Sequence, residues 1–243
     1  MDTKRKAAVA AGVLFIVATV ADVISRAALL APVLGLADPL AAVVVNEATV
    51  MLGAMLLFVG AAAAGGIAIA MFPVLRGHGE ALAIGSVGFR LIEATFYLGI
   101  VVCLLILVAM GEEAVTSGSA AFAVPVTLVL AAREALGQVG VLAFALGATM
   151  YYWLFYRSRL VPRWLSAWGL VAIASLVVSV VLVFFGVVEP MSPPQVLLAL
   201  PIGVQEMVLA GWLIAKGFRP AGTVAHGALV EADLAASVQA TAA

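Results

Sequence analysis

The chain has 243 residues, 65% of them hydrophobic and only 10% Asp, Glu, Lys or Arg, with a formal net charge of −1. Its mean hydropathy of +1.24 leaves no room for a sizeable water-soluble domain. The one cysteine, Cys103, lies in an apolar run, which excludes an intramolecular disulfide and reads as a small packing residue.

A helix needs about 20 mostly apolar residues to cross a ~30 Å hydrocarbon core. In chain order the apolar runs predict spans at about 7–29, 45–72, 81–109, 127–155, 165–187 and 195–216. Residues 1–219 thus read as one six-span transmembrane domain, an all-α helical bundle, and 220–243 as a flexible cytoplasmic tail. The first run follows Lys4, Arg5 and Lys6 and could mimic a signal peptide, but it is too long for one and carries Asp22 and Arg26. Asp38 and Pro39 form an N-cap and first helical residue ahead of the second span. Pro73 closes that span, and Pro193 and Pro194 open the sixth. The apolar stretch 119–132 extends the fourth span, either as plain helix or as a cap over a vestibule. The fifth span has no charge, only Ser175 and Ser179, which marks it as the lipid-facing helix. Small residues at Gly60–Gly66 and at Gly137, Gly140 and Gly147 allow close helix packing.

Orientation follows from the basic residues. Nine of the twelve Lys and Arg fall at the N-terminus, in the second-to-third and fourth-to-fifth connections, or after the sixth span. The opposite connections carry Asp38, Glu112, Glu113 and Glu189 and no Lys or Arg. Cytoplasmic loops are enriched in Lys and Arg, so both termini are expected in the cytoplasm. The aromatic run Tyr151, Tyr152, Trp153, Phe155 and Tyr156, with Trp164 and Trp168, reads as an interfacial belt beside Arg157 and Arg163.

Against this background, charges within the spans stand out. A charged side chain at the bilayer centre costs at least ~2.5–3.5 kcal/mol, so it normally faces a bundle interior and marks a functional site. Arg90, Glu93 and Glu206 are expected near mid-membrane, Asp22 and Arg26 in the outer third, and Glu47, Arg133 and Glu134 near the outer boundary. Ser86, Arg90, Glu93 and Tyr97 share one helical stripe, Thr19, Asp22 and Arg26 another, and Glu134 and Gln138 stand four apart. Gln205 and Glu206 are neighbours, so only one faces the axis. Arg90, Glu93, Tyr97, Gln205 and Glu206 are therefore the ligand-binding candidates. Asp22, Arg26, Glu47, Arg133 and Glu134 are candidates for an outer vestibule leading to them.

Two readings compete. In one, Arg90 pairs with Glu93 or Glu206, Asp22 pairs with Arg26, and the pairs only fix helix register. In the other, five acids against three arginines leave a surplus. An unpaired carboxyl in low dielectric favours its neutral form, and it then serves as a proton donor or a site for a cation. Glu206 is the first choice, because its own helix offers no nearby cation. No HExxH, P-loop, mid-span histidine or mid-span lysine is present, so no metal, cofactor or Schiff base is expected, and nothing points to nucleic acid. The expected partners are the lipid bilayer and a small-molecule or lipid ligand. Three classes stay open: binding or transport of a small solute, proton or cation; an intramembrane enzyme on a lipid-like substrate, with Glu206 or Glu93 as acid and Arg90 as anion stabiliser; and an accessory subunit without ligand.

GFRLIEATFYLGI in the third span, YRSRLVPRWLSAWGL between the fourth and fifth, and QEMVLAGWLIAKGFRP in the sixth resemble the bacterial domain-of-unknown-function 4386 family over roughly residues 4–219. The resemblance implies a small multi-pass helical membrane protein, expected in the cell membrane of a bacterium as a bacterial inner-membrane protein. It implies no reaction and no catalytic residues.

Overall fold

A computed structural model describes residues 2–219, so the expected tail at 220–243 lies outside the described residues. Six helices are long and apolar enough to cross a membrane. They are α1 (Thr3–Leu34), α3 (Glu47–Leu75), α4 (Glu80–Ser117), α5 (Ala123–Ser158), α6 (Arg163–Phe184) and α7 (Pro193–Ala215). A short helix, α2 (Pro39–Val45), precedes α3. No strand occurs among the described residues.

The helix ends follow local chemistry. The Asp38 side chain accepts from the Ala41 N–H at 3.0 Å, and Pro39 opens α2. Asn46, at φ −115°, breaks the chain between α2 and α3, so the second span begins as a separate turn of helix. Pro73 sits inside the last turn of α3 rather than ending it. Ser119–Phe122 is a 3-10 turn that runs straight into α5. The stretch at 119–132 is thus a helical extension, and its Phe122 and Val126 pack near Leu40 of α2.

α1 is the irregular helix. It is α-helical to Val23, π-helical over Ile24–Leu30, and α-helical again over Ala31–Leu34. Pro32 has no N–H to return to the preceding turn, and the turn before it widens. The Ser25 hydroxyl fixes that turn by donating to the Gly53 carbonyl at 2.7 Å. Arg26 therefore projects from a widened turn.

Each span packs on its sequence neighbours, and α7 also packs on α1. The six spans therefore close into a ring. In such a ring every helix has a lipid face and a central face. The fifth span, the candidate for the lipid-facing helix, exposes Val171 and Val178 and buries Leu176, Ser179 and Val180. Glycines set the close approaches: a Cβ at Gly140 would stand 3.1 Å from the Tyr97 ring, and one at Gly169 would stand 2.6 Å from the Tyr152 ring.

The two ends of the ring are filled differently. At the end where α1 begins and α7 ends, Phe15, Met71, Tyr151, Tyr152, Phe155 and Leu213 pack into the main core. Arg5 closes that end by donating to the Leu213 and Ile214 carbonyls at 3.2 and 2.6 Å. At the other end a second core of Leu30, Val43, Leu57, Ile100 and Leu107 fills only one side of the ring.

Candidate functional site

The unfilled side holds a cavity in two lobes. The inner lobe, about 320 Å³, is bordered by side chains of all six spans and lies at the ring's axis. It carries Arg90, Glu93 and Glu206 together. The outer lobe, about 420 Å³, carries Asp22, Arg26, Arg133 and Glu134 and reaches the connections at Gly35 and Met191. Asp22, Tyr97, Val141, Leu176 and Ala199 border both lobes, so the two lie side by side with these residues between them.

The inner cluster is set by helical spacing. Arg90 and Glu93 are three residues apart on α4, both buried, with Arg90 Nη1 2.9 Å from Glu93 Oε2. The contact is an ion pair without an aligned hydrogen bond at either atom. Arg90 Nε reaches the Ala64 carbonyl at 3.4 Å, and the guanidinium lies 4.9 Å from the centre of the Phe144 ring. Neither contact replaces the carboxylate, so Arg90 depends on Glu93 for charge balance. Glu206 stands across the lobe on α7. Its Oε1 accepts from the Tyr151 hydroxyl at 3.5 Å, and among the described residues it forms no ion pair.

Gln205, the neighbouring candidate, is turned away from the cavity. Its carbonyl oxygen accepts from the Tyr152 hydroxyl, and its amide donates to the Leu165 carbonyl at 3.0 Å. Both ends of the amide are used to lock α7 onto α5 and α6, so Gln205 is a packing residue. The aromatic run is likewise split by face. Trp153 and Tyr156 are exposed as an interfacial belt requires, whereas Tyr151, Tyr152 and Phe155 are fully buried. The two tyrosine hydroxyls reach Glu206 and Gln205. The run divides because it is helical: 151, 152 and 155 share one helix face, and 153 and 156 another.

In the outer lobe, Arg26 Nε pairs with Asp22 Oδ1 at 2.6 Å, and its guanidinium lies 5.2 Å from the centre of the Tyr97 ring. Tyr97 thus stands at the junction of the lobes. Glu134 accepts from the Gln138 amide at 2.7 Å, the one-turn contact its spacing allows. Arg133 forms no ion pair among the described residues, and its buried Nε has no hydrogen-bond partner. Glu47 is not part of the site: it is the exposed first residue of α3 and borders neither lobe. The site also includes Ser179, whose buried hydroxyl has no partner. Nothing in the sequence distinguished it from Ser175, whose hydroxyl donates to the Leu198 carbonyl at 2.8 Å.

The family model described as "Domain of unknown function (DUF4386)" matches residues 10–217. The chain belongs to the DUF4386 family. The match spans every helix that borders the cavity. No curated protein and no solved structure matches the chain.

Proposed function

We propose that this DUF4386 member binds or transports a small solute, proton or cation through its central cavity. The observation that carries the reading is the adjacency of the two lobes, which share Asp22 and Tyr97 and lie in series from the connections at Gly35 and Met191 to the Arg90–Glu93–Glu206 cluster. Below that cluster the aromatic core fills the ring. These features support a protein open to one side of a membrane and closed to the other, with a polar site at the boundary. With the basic residues cytoplasmic, in a bacterial inner membrane, the open side faces outward.

Each inner residue then has a role. Arg90 and Glu93 hold each other and present a fixed dipole. Glu206, which shares the lobe with Arg90 but forms no ion pair among the described residues, takes up a proton or a positively charged group. The Tyr151 hydroxyl ties Glu206 to the aromatic core, so a change at the carboxyl is felt where the closed end would have to open. Tyr97 separates the outer lobe from this cluster.

Native mass spectrometry on gently solubilised protein tests the reading, with wild type compared with Glu206→Gln and Arg90→Ala. A discrete bound small molecule, lost in either variant, is expected. A ligand-free mass in all three would favour an accessory role and overturn the proposal, as would a bound protein subunit. Conversion of a bound lipid, abolished by Glu206→Gln, would place the site among intramembrane enzymes instead.

A further inference from the structure

The outer lobe is richer in unmet polar groups than the proposed inner site requires. Its charged residues fall into two kinds. Asp22 and Arg26 satisfy each other at 2.6 Å. Arg133 and Glu134 are neighbours in sequence, yet among the described residues neither forms an ion pair. Arg133 Nε is buried without an acceptor. Glu134 receives only the amide of Gln138.

Two neutral groups point the same way. Gln138 is 7% exposed and its Oε1 has no partner; Ser179 is 1% exposed and its Oγ has none either. Both border the same lobe as Arg133 and Glu134. A buried polar atom left unmet costs ~1–3 kcal/mol, so several facing one cavity mark a place where something else supplies the partners. The unmet set is asymmetric. Arg133 is a fork of donors suited to a planar or tetrahedral oxyanion. Glu134, Gln138 and Ser179 offer oxygen acceptors, which is what the three N–H groups of a primary ammonium need.

We infer that the outer lobe is a binding site for a small zwitterionic group, its carboxylate or phosphate on Arg133 and its ammonium on Glu134, Gln138 and Ser179. The inference rests on the proposed function and adds the chemistry of what enters the cavity. A lone anion would meet the Glu134 carboxylate, and a lone cation would meet the Arg133 guanidinium. A zwitterion meets both and leaves the lobe as neutral as it found it. The lobe's size, about 420 Å³, lies within the usual range of small-molecule sites. The same chemistry occurs in a free solute and in the headgroup of a phosphatidylethanolamine.

Calorimetric titration of the full chain in detergent tests this with two soluble zwitterions, β-alanine and glycerophosphoethanolamine, and with two half-probes, glycerol phosphate and ethanolamine. At least one zwitterion should bind more tightly than either half-probe. Arg133→Gln and Glu134→Gln should each weaken it by about tenfold or more, as expected when one end of a desolvated charge pair is left unmet. Ser179→Ala, which removes one acceptor and nothing else, should weaken it by a few-fold, and it reports even if a charge variant fails to fold. Nanodiscs of phosphatidylethanolamine or of phosphatidylglycerol alone separate the sources. A phosphatidylethanolamine retained by wild type and lost in Arg133→Gln, without binding of either soluble zwitterion, assigns the site to the lipid. Binding of a half-probe as tightly as the zwitterions, or binding indifferent to all three variants, overturns the inference. So does failure of both the soluble and the lipid zwitterions to bind. If a bound molecule still depends on Glu206 and Arg90, that failure leaves the proposed function standing; if no molecule binds anywhere, both fall.

Discussion

The two ends of this bundle use the same kinds of side chain for opposite purposes. At the end where α1 begins and α7 ends, Gln205 spends both sides of its amide on Tyr152 and Leu165. The tyrosines there lie in tight aromatic packing, with Tyr151 and Tyr152 ring centres 4.5 Å apart. At the other end, Gln138 spends one side of its amide on Glu134 and leaves the other unmet in a cavity. A lipid environment offers a polar group few partners, so a fully bonded amide holds its neighbouring helices together, and a half-bonded one keeps an acceptor open to a further partner. Burial alone does not separate the two: both glutamines are buried.

The largest expected effect probes the boundary between those ends. Glu93→Leu leaves the Arg90 guanidinium without its carboxylate, and removing one partner of a buried pair costs about 3–5 kcal/mol. Unfolding in denaturing detergent should record that loss. Adding Arg90→Met should restore most of it, because the double variant leaves no orphaned charge. A double variant as unstable as the single would mean that the pair holds the bundle together and does not merely tolerate its place in it.

Gly169→Val comes next, since the new Cβ would fall 2.6 Å from a Tyr152 ring already wedged between Tyr151 and Phe155. Overpacking of this kind costs about 1–3 kcal/mol, and the melting temperature should drop accordingly. The same substitution at Gly203, where a Cβ meets nothing within 4 Å, should leave it unchanged.

The two glutamines give the most direct contrast. Gln205→Leu strands the Leu165 carbonyl and the Tyr152 hydroxyl and should cost about 1–3 kcal/mol. Gln138→Leu removes an oxygen that has no partner and one bond to Glu134, and should cost under about 1 kcal/mol. Equal losses in the same unfolding assay would erase the distinction between a holding end and a receiving end.

How much of this was legible in the residues depends on which physical signal each one sends. The six spans announce themselves through hydropathy, and Asp38–Pro39 through cap chemistry, because both are local. The pairing of Arg90 with Glu93 follows from a three-residue spacing. The ring closure, in which α7 returns to α1, is a long-range contact with no periodic signature, and the cavity and the central role of the uncharged fifth span follow from it. Glu47 illustrates the opposite error. A carboxylate near a span is conspicuous in sequence, yet the break at Asn46 places it at a helix start, outside the cavity.

The smallest stability effect carries the most about function. Glu206→Gln keeps the shape of the side chain and an oxygen for the Tyr151 hydroxyl, and among the described residues no cation loses a pair. It should change stability by no more than about 0.5 kcal/mol, the range of substitutions that break no buried partnership. It should nevertheless abolish uptake of a proton or cation, because an amide neither ionises nor neutralises a positive charge. A loss of stability as large as that of Glu93→Leu would mean that Glu206 serves Arg90 as a second counter-ion. The inner cluster would then be a structural triad, and the cavity would end on a wall instead of a site.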